Sequence, residues 1–90
     1  MNKQDKKLLR RFIFILYVTP YEKFKLIYLA YRWFYFSNYL GISSQLDYHI
    51  PNEIDRQIVE PYLTAVSNCG KQDFITIYVA VCKVLKERTK

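Results

Sequence analysis

The stretch from Thr19 to Gly41, TPYEKFKLIYLAYRWFYFSNYLG, leaves a chain of 90 residues few ways to fold. Thr19, Pro20 and Glu22 carry the pattern of a helix start: a hydroxyl to accept an orphan amide, a proline at the first helical position, and an acid that reaches back. Gly41 supplies a left-handed stop. The roughly 21 residues between them span about 30 Å at 1.5 Å per residue. At 100° per residue Tyr21, Phe24, Tyr28, Tyr31, Tyr35 and Tyr39 fall in one sector. Leu26, Ile27, Ala30, Trp33, Phe34 and Ser37 fill a second. Only a narrow strip with Glu22, Lys25 and Arg32 suits water, and Leu29 and Phe36 intrude on it. A helix so apolar around its circumference has to be surrounded, by the rest of the chain or by a partner.

The choice of tyrosine over leucine in that ridge is informative, because each ring adds a hydroxyl that needs a partner or water. Two readings follow. One is a core helix whose hydroxyls emerge at its rim. The other is a docking ridge anchored on Tyr28, Tyr31 and Tyr35 with Arg32 beside them, since centrally placed aromatics dominate interface energy.

The remaining segments also read as helices, giving an all-α single domain over 1–90: a compact antiparallel bundle of four helices at about 3–18, 20–40, 52–68 and 73–88. The first has Asn2 as cap, with Leu8, Phe12, Ile15 and Leu16 facing one way and Arg10, Phe14 and Tyr17 another. After Gly41 the loop-like ISSQLDYHIPN holds a short helical turn at 44–49. The third helix shows Ile54, Ile58, Tyr62 and Ala65 as its inner face and Arg56, Gln57, Glu60, Thr64 and Ser67 outside. Pro61 removes one amide and clashes with the preceding turn, so a kink or break is expected there. The last helix takes Asp73 as cap and carries Phe74, Ile77, Tyr78, Val81, Cys82 and Leu85 as an apolar stripe, although its β-branched run also favours extended chain.

Charge is uneven. Lys plus Arg exceeds Asp plus Glu by 14 to 8, while Asp47, Glu53, Asp55 and Glu60 stand against Arg56 alone in the middle of the chain. Up-down-up-down packing puts the start of the first helix and the end of the last at one pole. Lys3, Lys6, Lys7, Arg10, Arg11, Lys83, Lys86, Arg88 and Lys90 then form a basic end suited to anions, nucleic acid included. The cations in the first turns of the first helix oppose its dipole, which marks them as a contact surface or as a solvated terminus.

Several function classes find no support. With only two glycines there is no phosphate-cradling loop, and Asp47 and His49 are too close in sequence to orient one another on a helix. Cys69, Cys82 and His49 do not complete a four-ligand zinc site, so neither metal nor cofactor is expected. SNYLGISSQLDYHI resembles the turn and second helix of a helix-turn-helix. However, Leu46 comes one residue early, Asp47 would face phosphate, and Pro51 cuts the reading helix short. The apolar run Phe12–Val18 is too short to span a membrane, and TPYEK follows where a signal sequence would need small residues. The expectation is a cytoplasmic, non-enzymatic interaction protein, an adaptor, inhibitor or regulator, that binds another protein or its own copy. Nucleic-acid binding through the basic pole is the alternative, and attachment to a membrane surface is a weaker one.

Overall fold

The computed structural model describes residues 3–89, which contain five helices and no strand. They are α1 (Lys3–Val18), α2 (Tyr21–Tyr39), α3 (Leu46–His49), α4 (Glu53–Ser67) and α5 (Lys71–Arg88). The all-α bundle expected from the spacings is the fold, and the β-branched run of α5 is helical. The expected Asn2 cap and Lys90 lie outside the described residues.

The helix ends show which capping expectations hold. Asn52 caps α4, its side-chain oxygen accepting from the Ile54 amide at 2.8 Å and the Asp55 amide at 3.4 Å. Gly41 has φ +68° after the last turn of α2, and the Ile42 amide returns to the Phe36 carbonyl at 3.0 Å. Thr19 does not cap α2. Its amide and its hydroxyl both donate to the Ile15 carbonyl, at 2.9 and 2.5 Å, so it closes α1 and leaves no amide for Glu22. Asp73 does not cap α5 either, because that helix begins two residues earlier behind Gly70. Pro61 does not break α4, which is helical from Glu53 to Ser67. The carbonyl that loses its donor belongs to Gln57, an exposed residue.

α2 is the hub. α4 and α5 pack on it, α3 sits in the corner between α2 and α4, and α1 lies on α5. The main core joins Leu16, Phe24, Ile27, Tyr31, Val66, Phe74, Val81 and Val84, and a smaller one joins Ala30, Ile50 and Val59. The connection after α2 is pinned from both sides. Trp33 Nε1 donates to the Ser44 carbonyl at 2.8 Å, and Arg56 Nη1 donates to the carbonyls of Ile50 and Pro51 at 2.9 and 2.8 Å. The α3 turn is four residues, Leu46–His49, shorter than the expected 44–49 and too short to read a DNA groove.

Helix directions overturn the expected basic pole. α5 runs antiparallel to α2, with Tyr39 beside Phe74 at one end and Arg88 over Tyr21 at the other. α1 also runs opposite to α2, since only Thr19 and Pro20 join them. Two reversals make α1 and α5 parallel. At their C-terminal ends Tyr17 Oη donates to a Glu87 carboxylate oxygen, and Arg88 Nη1 donates to the Leu16 carbonyl at 2.8 Å. At their N-terminal ends Asp5 and Leu8 share a groove with Asp73. The cations of α1 and those of the α5 tail therefore lie at opposite ends of the molecule.

Two inner faces are also rotated from the expected ones. α1 turns Leu9, Phe12, Ile13 and Leu16 inward and leaves Leu8 and Ile15 exposed, 52% and 45%. α4 buries Val59 and Val66 with Leu63 between them, while Ile54, Ile58 and Ala65 face outward and Arg56 is half-buried. Both helices have apolar sectors wider than one contact can cover, and the deeper of two overlapping stripes wins.

Two substitutions check this packing. Leu16→Ala should cost about 2–5 kcal/mol in denaturant unfolding, whereas Phe14→Ala, at an exposed site of the same helix, should stay within about 0.5 kcal/mol. Gly41→Ala should cost about 1–2 kcal/mol through its left-handed dihedral alone, because a Cβ there meets nothing within 4 Å.

Candidate functional site

The tyrosine ridge is drawn into the core. Phe74 of α5 enters its middle and meets five rings: Tyr31 edge-on at 6.1 Å, Phe34 at 4.9 Å, Tyr35 at 6.3 Å, Tyr39 at 5.5 Å and Tyr78 of its own helix at 5.9 Å. Tyr31 is 2% exposed, and Tyr28 and Tyr35 are half-buried against α5. Tyr31 thus acts as a core residue, not as the exposed anchor the second reading requires. Arg32 is exposed, its guanidinium 5.3 Å above the Phe36 ring.

The cations separate into two groups. Lys3, Lys6, Lys7, Arg10 and Arg11 are all exposed along the first half of α1. Lys83 and Lys86 are exposed near the far end of α5. Arg88 is structural, lying over Tyr21 and Phe24 while it holds the Leu16 carbonyl.

The surface that remains open lies where the bundle fails to close. α1 and α4 face each other across a groove of about 530 Å³. Leu8, Leu9 and Phe12 form one wall, and Pro61, Tyr62 and Ala65 the other. Its floor is Tyr31 with Ile77 of α5, and Asp5, Cys69 and Asp73 stand at one end. Apolar surface continues past the groove on both walls. Ile15 extends the line of Leu8, and Ile54 (67% exposed) and Ile58 extend the line of Pro61 and Ala65. Helical spacing predicts Ile54, Ile58 and Ala65 as inward-facing, and all three are exposed. The available signal was that α4 carries a second apolar stripe, Val59, Leu63 and Val66, about a quarter-turn away.

Two groups bordering the groove, the Tyr31 hydroxyl and the Cys69 thiol, favour their neutral forms. Burial raises the Tyr31 hydroxyl well above its ordinary range, with Tyr62 and Cys69 adding to it, and that hydroxyl donates to the Tyr62 carbonyl at 3.4 Å. Burial also raises the Cys69 thiol, as does the Asp73 carboxylate, partly offset by a backbone hydrogen bond. Cys69 and Cys82 are both free thiols. Burial raises Cys82, and a hydrogen bond with Tyr78 opposes the shift. His49 sits apart, 3.2 Å from the Ser44 hydroxyl. Among the described residues no three of His, Cys, Asp and Glu converge to hold a metal ion, and no helix is long and apolar enough to cross a membrane.

Comparison with protein-family models, curated proteins and solved structures gives no match.

The raised Tyr31 value carries a pH consequence. A group with a folded pKa above its unfolded one contributes stability that is complete below the unfolded value, about pH 10 for tyrosine, and is lost as pH rises beyond it. The denaturant midpoint should fall above about pH 10, and Tyr31→Phe should flatten that fall.

Proposed function

We propose that this protein is a small non-enzymatic interaction module of the cytoplasm, an adaptor, inhibitor or regulator, whose docking face is the open α1/α4 side. The observation that carries this reading is the groove itself. Two helices that leave the same side uncovered, each showing surplus apolar side chains toward it, form the arrangement in which an amphipathic helix lays down its apolar face. The chemistry of the occupant follows from the rim. Lys7 and Arg11 are exposed beside Leu8 and Ile15, so a helix with apolar anchors and acidic flanks complements the α1 wall.

This reading keeps protein binding as the mode of action and moves it from the tyrosine ridge to the groove above Tyr31. For nucleic acid, the pole shared by both chain ends was the favouring feature, and the parallel course of α1 and α5 divides it.

The test uses two labelled synthetic helices as long as α4, both with leucines along one face, one flanked by glutamates and the other by lysines. Fluorescence anisotropy should show saturable binding of the glutamate form and about tenfold weaker binding of the lysine form, equivalent to about 1.4 kcal/mol. Ala65→Arg, an exposed change inside the groove, should abolish both. Binding of neither peptide to the protein diluted to its monomer overturns the reading.

A further inference from the structure

Resting on that reading, we infer that the acidic amphipathic helix taken up by the open face is α4 of a second copy, so that the protein is a two-fold dimer in which α1 of each copy packs on α4 of the other. The two walls are complementary to one another within one chain. α1 presents Leu8 and Ile15 with Lys7 and Arg11 exposed beside them and Asp5 the one acid on that helix. α4 presents Ile54, Ile58, Pro61 and Ala65 with Glu53 and Glu60 exposed along their solvent side.

A basic and an acidic apolar stripe on either side of one gap is the pattern an isologous interface needs, because rotation by 180° brings each stripe onto its opposite. Within one copy the two stripes do not meet, since the groove separates them. The size is also adequate. A standard interface takes about 800 Å² from each partner. The surface of one copy is 6202 Å², and α1 alone gives the face a length of about 24 Å at 1.5 Å per residue. The overall charge of +6 acts against association of like copies, so the pairing depends on local opposition of charge across the face.

Two charge-reversed proteins test this without touching the core. One carries Lys7→Glu with Arg11→Glu, making both walls acidic. The other carries Glu53→Lys with Glu60→Lys, making both walls basic. Sedimentation velocity of the parent should give twice the 10.9 kDa chain mass. Each variant alone should sediment as a monomer with unchanged helical circular dichroism. An equimolar mixture should recover the dimer, because every acidic wall then faces a basic one.

A parent that stays monomeric yet binds the glutamate-flanked helix overturns the second copy as occupant and leaves the docking reading standing. A monomeric parent that binds neither peptide overturns both. A dimer indifferent to either reversal, or variants that fail to associate on mixing, overturns the α1-on-α4 arrangement.

Discussion

The contact on which the other helices depend is the insertion of Phe74 among the rings of α2. Five aromatic neighbours hold it, two of them nearly parallel to it and one edge-on, so both offset-stacked and perpendicular geometries are used at once. A seam of this kind fixes α5 along α2 in both direction and register, because sliding by one turn would take Phe74 out of its ring of neighbours. Once α5 is placed, α1 has little freedom. Its two-residue link to α2 forces a reversal, and Arg88 reaching the Leu16 carbonyl ties its end to the end of α5. α4 arrives through a longer connection and takes the middle of α2, where the Tyr31 hydroxyl meets the Tyr62 carbonyl. No element is left to fill the space between α1 and α4.

How far the sequence discloses this differs by level. Helix existence was legible throughout, because spacings of three and four and Gly41 as a stop are local signals with local causes. That the tyrosine row is core was one of two open readings, and a single chain with no view of its neighbours cannot choose between them. Which stripe of α1 or α4 turns inward was not legible. Leu8 and Leu9 are equally apolar and differ by 100°, as do Ile58 and Val59, so periodicity supports either member of each pair. The choice belongs to α5 and α2, which present the surface to be matched. Direction was illegible for a related reason. Short connections were read as an alternating bundle, but the 40–52 connection with its α3 turn breaks the alternation.

The same surplus explains why an open face exists. A domain of this size buries a modest fraction of its surface, and its apolar content of 51% exceeds what one small core can enclose. Phe14, Val18 and Val79 also remain exposed, the ordinary condition of a protein surface. Leu8, Ile15, Ile54 and Ile58 differ because they border a concavity whose floor is already apolar, so covering them also removes Phe12, Tyr62 and Ile77 from water.

Charge placement on the two walls separates folding from function. Glu53 and Asp55 occupy the first turn of α4, where acids stabilise the positive end of the helix dipole, so folding alone accounts for them. Lys3, Lys6 and Lys7 crowd the corresponding end of α1, where the same electrostatics disfavours cations. Stability of the monomer gives no reason for that arrangement. An acidic counter-surface laid along α1 does, since it offsets both the mutual repulsion of the cations and their conflict with the dipole. On the docking reading proposed above, the basic wall is therefore the half that folding does not account for.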